Sequence, residues 1–181
     1  MKRNPSEILL ATLRFAAEKH SGQRRKDSAG SPYINHPIAV AELLSRVGRI
    51  TDLAILQAAI LHDTLEDTAT TARELDKYFG RKVRKLVQEV TDDKSLPTAE
   101  RKRLQIVHAL HISKSAQQIK MADKICNLGD ITLKQPVDWP LKRKREYVEW
   151  GAKVVAGCRG CNRLLERYFD VLLKAKRKAL G

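Results

Sequence analysis

Residues 52–68 read DLAILQAAILHDTLEDT. From Leu53 to Leu61 the only polar residue is Gln57. A helix that is apolar nearly all round has no face to offer water and belongs in an interior. Thr51 and Asp52, both good N-terminal capping types, stand where such a helix would start. The run then stops at His62-Asp63, and Glu66 and Asp67 follow. On one continuous helix these four residues fall within an arc of roughly 140° and share a face. Carboxylates at the C-terminal end of a helix oppose its macrodipole and need a compensating cation. A solvated acidic face would account for Glu66 and Asp67. It accounts poorly for His62-Asp63, which continue the buried stretch.

The rest of the chain carries helical punctuation. Ser6 precedes EILLATLRFAAEKH, and a polar basic loop, SGQRRKDSAGSPYINHP, follows. Pro37 is placed to open a second helix, IAVAELLSRV, which Gly48 ends. Thr71 and Glu74 match a capping box for a short helix stopping near Gly80, with KVRKLVQEV as the next helix. TAERKRLQIVHAL after Pro97, SAQQIKMADKICNLGDI, and one or two basic helices after Pro140 complete the pattern. No alternating strand pattern or internal repeat is present. The expected fold is all-α, a compact helical bundle of roughly eight to ten helices. One domain spanning residues 1–181 is expected, with its core over about 6–170 and a basic C-terminal tail, about 174–181, that frays.

Composition narrows the partners. The 35 Lys+Arg against 21 Asp+Glu give a formal charge of +14, which attracts anions. No apolar stretch is long enough to cross a bilayer, and MKRNPSEILLATLRFAAEKH reads as a first helix, not a signal peptide. Membrane partners are therefore excluded from the expectation. Three cysteines, an odd number, argue against a disulfide framework and for a reducing, cytoplasmic location.

Two distant segments add to the acidic cluster. His36 lies between an aromatic and a helix in SPYINHPIAV. In QIKMADKICNL, Asp123 lies beside an apolar stripe of Ile119, Ala122 and Cys126, where a carboxylate is costly unless paired or metal-bound. Asn127, one turn on, points the same way. His36, His62, Asp63 and Asp123 form a mixed nitrogen and oxygen set. It suits Mn, Fe, Zn or Ni with positions left for water and substrate, and it has none of the thiolates of a structural zinc site.

The ordered segments QRRKD…PYINHPIAVAELL, AAILHDTLEDT, VTDDK, KMADKICNL and REYVEW resemble HD-domain phosphohydrolases. The resemblance is to the small alarmone hydrolases of the metazoan SpoT-homolog type, single-domain relatives of the hydrolase half of RelA/SpoT proteins, and it runs from about Phe15 to Leu165. It implies the HD-domain helical bundle. It implies one Mn²⁺ held by His36, His62, Asp63 and Asp123, with Zn, Fe or Ni as alternatives, and catalytic roles for Glu66 and Asp67. The implied reaction removes pyrophosphate from the 3′ position of ppGpp or pppGpp, leaving GDP or GTP. Arg25 and Lys26 match the family's basic pair before YINHP and become the leading substrate contacts. Tyr33, Lys94, Asn127, Arg143 and Tyr147 follow by position in similar segments. Cys126 departs from the His or Tyr that relatives often carry there. No synthetase or regulatory domain is expected in a chain of this length.

Two other functions compete. A phosphatase on another ribose phosphate, notably the 2′-phosphate of NADP(H), would use the same site. A basic nucleic-acid-binding protein with a structural metal is disfavoured, because aromatics make up only 5% of the chain and do not interleave with the basic runs. The cluster Lys142–Arg145 reads as solvated or as a pocket rim. Cys158-Arg-Gly-Cys161 has no second cysteine pair and no preceding strand, so neither zinc nor redox function is assigned. Oligomeric state is left open.

Overall fold

A computed structural model describes residues 4–132, 136 and 138–181. Among the described residues the chain forms nine helices: α1 (Pro5–Lys19), α2 (Asn35–Arg46), α3 (Leu53–Leu61), α4 (Thr64–Asp67), α5 (Ala72–Val90), α6 (Thr98–His108), α7 (Lys114–Asp130), α8 (Leu141–Cys158) and α9 (Arg163–Leu180). Arg24 and Pro32 make an isolated β-bridge, and no strand is present among the described residues. The fold is all-α, as the patterning predicts.

Helix α3 sits at the centre. Ile55, Leu56, Ala58, Ala59, Ile60 and Leu61 are all buried, and α1, α2, α5 and α7 pack around them. Asp52 caps α3 by accepting from the Ala54 amide at 2.9 Å. The second enclosed element is α7, which packs against α2, α3, α5, α8 and α9. Its Ile119, Met121, Ala122 and Leu128 are fully buried. These two rigid helices carry or adjoin the residues singled out above.

The continuous helix expected through Asp67 is corrected. The helix α3 ends at Leu61, His62 and Asp63 form a bend, and α4 is a separate turn of helix. Side chains cause the break. His62 Nδ1 lies 2.8 Å from the Ala59 carbonyl, and Thr64 Oγ1 donates to the Leu61 carbonyl at 2.7 Å. Both occupy carbonyls that continuing backbone amides would otherwise use.

Three boundaries also move. Asn4, not Ser6, caps α1 through its Oδ1, with Pro5 in the first turn. Asn35 starts α2, two residues before Pro37, so His36 belongs to the first helical turn instead of the preceding loop. Pro37 is tolerated there because first-turn amides have no intrahelical acceptor. Residues 174–181 are not frayed: Leu180 is 3% exposed. Arg145 donates to the Leu180 carbonyl at 2.6 Å and the Gly181 carbonyl at 2.5 Å. Lys176 donates to the carbonyls of Gly129 at 2.7 Å and Ile131 at 2.6 Å, tying the tail to the end of α7. The break predicted near Gly80 is present inside α5, where Gly80 takes φ 80° and ψ 166°.

Candidate metal centre and substrate cleft

Helix starts, ends and bends bring the candidates together. The first turn of α2 supplies His36, the bend after α3 supplies His62 and Asp63, and the middle of α7 supplies Asp123. One ligand atom each from His36, His62 and Asp123 lies within 4.8 Å of the others. His36 Nε2 is 3.0 Å and His62 Nε2 3.7 Å from Asp123 Oδ1. Asp63 Oδ2 is 3.0 Å from His62 Nε2 and 3.9 Å from His36 Nε2.

The donor set fits a divalent cation. A carbonyl only accepts, so His62 Nδ1 carries the proton it gives to Ala59. In the neutral ring that leaves a lone pair on Nε2. This nitrogen is buried and makes no hydrogen bond of good geometry, as expected of an atom aimed at a shared ion. Asp123 Oδ1 accepts from Asn127 Nδ2 at 2.6 Å, and its Oδ2 from Lys124 Nζ at 2.9 Å. Tyr33 Oη donates to Asp63 Oδ2 at 2.6 Å. These outer contacts fix the orientation of the candidate ligands' carboxylates.

Electrostatics agree with a cation-ready cluster. Burial would lower His62, but the facing carboxylates of Asp63 and Asp123 outweigh it and hold its pKa well above the ordinary histidine value. Burial would raise Asp123, yet Lys124, His36 and His62 hold it well below the carboxylate range. Asp63 is held low in the same way by the two histidines against its burial.

Glu66 and Asp67 sit on α4 at the cavity's edge. The Asp92 amide donates to Glu66 Oε2 at 3.1 Å, and Arg101 Nη1 lies 3.8 Å from Oε1. Burial, reinforced by the carboxylates of Asp92, Asp63 and Asp67, pushes Glu66 up to about 7. Asp67 is ion-paired with Lys94, and Gln23 Nε2 donates to its backbone carbonyl at 2.5 Å.

A cavity of about 140 Å³ is lined by the four ligand candidates, Glu66 and Asp67, among others. A second cavity of about 320 Å³ adjoins it, with Tyr33 and Asn127 lining both. Ligand pockets commonly start at about this size. Arg24, Arg25, Lys26, Trp139 and Tyr147 form most of the outer wall. The loop before α2 holds the basic pair there: Arg25 N bonds Ser31 O at 2.8 Å and Tyr33 N bonds Gln23 O at 3.0 Å. Arg25 pairs with Asp130, donates to Asn127 Oδ1 at 3.3 Å, and lies 5.7 Å from the Tyr33 ring centroid. Tyr147 packs against Trp139 and Trp150. Arg143 lines neither cavity. Its guanidinium stacks 4.2 Å from the Trp139 ring, behind the outer wall.

Sequence reasoning missed several residues here. Lys120 and Lys124, 7% and 5% exposed, flank Asp123 as buried cations. Lys120 Nζ donates to the Val90 carbonyl at 3.0 Å and lies 3.7 Å from Asp92. The spacing of KMADK, with three charges inside an apolar helix, was the available signal. Asp92 was signalled only by its place in VTDDK, and Asp130 had no signal, since it acts through a contact distant in sequence. The cysteines stay inert: burial lifts Cys126 and Cys158 to about 12 and Cys161 to about 11, and all three are free.

An all-helical bundle with this His/Asp cluster defines a metal-dependent hydrolase of the HD class. The chain belongs to the HD-domain family, whose profile matches residues 12–146. Within it, the chain is 53% identical over 172 residues to guanosine-3′,5′-bis(diphosphate) 3′-pyrophosphohydrolase MESH1 of Danio rerio, covering 95% of this chain and 96% of that protein. The Homo sapiens protein of the same name is 53% identical over 168 residues, covering 93% and 94%. A solved structure of a metazoan ortholog of SpoT that hydrolyses ppGpp and plays a role in starvation responses superposes with a TM-score of 0.92 at 44% identity, covering 99% of this chain and 100% of that one.

Proposed function

We propose that this chain is a metal-dependent guanosine-3′,5′-bis(diphosphate) 3′-pyrophosphohydrolase with Mn²⁺ as its ion. The observation that carries this reading is the convergence of His36, His62 and Asp123 to within 4.8 Å, beside an aromatic and basic cleft. Near-full-length identity to proteins of that activity supports the substrate. Two imidazoles and two carboxylates suit Mn²⁺, and Fe, Zn and Ni tolerate the same set. A bound divalent ion would acidify water and polarise the phosphoryl group.

The chain's own groups do the rest. His36, His62, Asp63 and Asp123 would hold the ion, and Tyr33, Asn127 and Lys124 would orient the carboxylates of Asp63 and Asp123. Water attacks the phosphorus attached to O3′, the P–O3′ bond breaks, pyrophosphate leaves, and O3′ takes a proton. Glu66, on the edge of the same cavity and raised by burial in the metal-free protein, is placed for one of these transfers. Asp67, fixed by Lys94 and Gln23, orients the reacting water. Lys120 and Lys124 offset charge on the phosphoryl oxygens. Arg25 and Lys26 meet the nucleotide from the outer wall, Arg25 as a planar fork and Lys26 as a point charge.

The test is product identification with ppGpp, pppGpp and NADPH, each with added Mn²⁺. Release of pyrophosphate from ppGpp, with kcat/KM above that for phosphate release from NADPH, supports the proposal. A higher kcat/KM on NADPH would replace it with the 2′-phosphatase reading. No turnover of any of the three would overturn it.

A further inference from the structure

A second surface lies away from the catalytic cleft. On α9, Leu164, Tyr168 and Val171 are 44%, 43% and 69% exposed. At about 100° per residue they fall within about 60° of one another, forming an apolar stripe on the outside of a helix whose opposite face is core. Arg163, Arg167, Lys174 and Lys178 occupy the adjoining arc, again within about 60°. Across the stripe stand Arg46 and Arg49, from the end of α2 and the loop after it. The three stripe residues, Arg167 from that arc, Arg46, Val47 and Arg49 line a shallow groove of about 380 Å³. None of its residues lines either cavity of the catalytic site.

The groove's charge is largely uncompensated. Arg46 is paired with Glu42, but Arg49, Arg167 and Lys174 form no ion pair among the described residues. The acids of the same helix are engaged elsewhere: Glu166 lies 3.7 Å and Asp170 2.5 Å from Arg159. Arg49 also holds φ 56°, a left-handed backbone that residues with a Cβ adopt only at a cost.

We infer that this groove docks an acidic amphipathic helix of a partner protein. Apolar side chains of that helix would cover Leu164, Tyr168 and Val171, and its glutamates or aspartates would meet the arginines on both sides. Arginines on both sides of the apolar stripe match a helix with an apolar face and acids on both flanks, whose charge answers the cations the groove leaves unpaired. A second copy of this chain is a poor occupant, because two such cationic faces repel and the chain as a whole carries +14.

The experiment is calorimetric titration of the full chain with a synthetic helical peptide. The peptide carries Leu at i, i+4 and i+7 and Glu on both flanks, and its scrambled isomer is the control. The expected result is binding that weakens with salt and is lost for the scrambled isomer. Arg49→Glu with Arg167→Glu should weaken it at least about tenfold, and Val171→Asp similarly. A peptide with Lys in place of Glu should bind the double charge-reversed variant better than wild type. Metal-dependent ppGpp hydrolysis should stay at the wild-type rate in every variant, which shows that each is folded. Equal binding of the scrambled isomer, or affinity unmoved by the substitutions, would overturn the proposal. So would a peptide that fails to bind while phosphatidylserine vesicles do, or dimerisation through this face in sedimentation.

Discussion

The inner cavity and the outer cleft share two walls and differ in almost everything else. The inner ligand candidates come from helix turns around two buried helices, and three of the four have an orienting partner within 3.0 Å: Ala59 for His62, Tyr33 for Asp63, and Asn127 for Asp123. The outer cleft is built on a loop, the end of α7 and the segment before α8, and its leading cation is already paired with Asp130. The inner region is pre-organised for one small ion. The outer region must exchange an internal ion pair for a ligand's charges, so its contacts contribute less net binding than their number suggests.

Breaking the inner region should have the largest effect. His62→Ala removes a ligand from the rigid cluster and should cost on the order of a thousandfold in kcat/KM, with bound metal lost in elemental analysis. Glu66→Gln should lower kcat by about a hundredfold or more while metal content stays at the wild-type level. Wild-type turnover in that variant would remove Glu66 from the chemistry. Arg25→Ala should act mainly on KM, raising it by about tenfold or less, since in the wild-type chain that contact forms only at the expense of the Arg25–Asp130 ion pair. An Arg25 effect confined to kcat would mean that the two regions are not functionally separate.

The smallest effect is a pH dependence of stability, and it sharpens the same contrast. In metal-free protein Glu66 is raised from 4.5 to about 7, so its contribution is full below 4.5 and is lost as pH climbs through 7. His62 is likewise raised above 6.5 and loses its contribution at higher pH still. Asp63 and Asp123 act oppositely: their contribution is present above 3.8 and is lost only on acidification below it. Chelator-treated protein should therefore lose about a few degrees of Tm between pH 6 and pH 8. Excess Mn²⁺ should remove or reverse that slope, because the ion displaces the same protons.

The inner region was the more legible in sequence for a physical reason. A buried apolar run that ends in His62-Asp63, and a carboxylate set in the stripe of α7, are local violations of patterning that demand compensation. Helix capping and glycine signals likewise marked most elements, including the break at Gly80. The bend after Leu61 was not legible, because it depends on His62 and Thr64 capturing carbonyls, which an apolar pattern does not encode. The docked tail was missed because Lys176 and Leu180 read as solvent-facing until α7 and α8 supply their partners. The outer cleft was legible only through resemblance: Arg25, Asp130 and Trp139 are far apart in the chain, and no spacing links them.

The central claim is that residues gathered on α2, α7 and the bend after α3 hold an ion without which no phosphorus centre is attacked. The direct measurement is the initial rate of pyrophosphate release from ppGpp by chelator-stripped protein as Mn²⁺ is added back. The account predicts negligible release before addition and saturation near one equivalent per chain. Undiminished release from the stripped protein would contradict it.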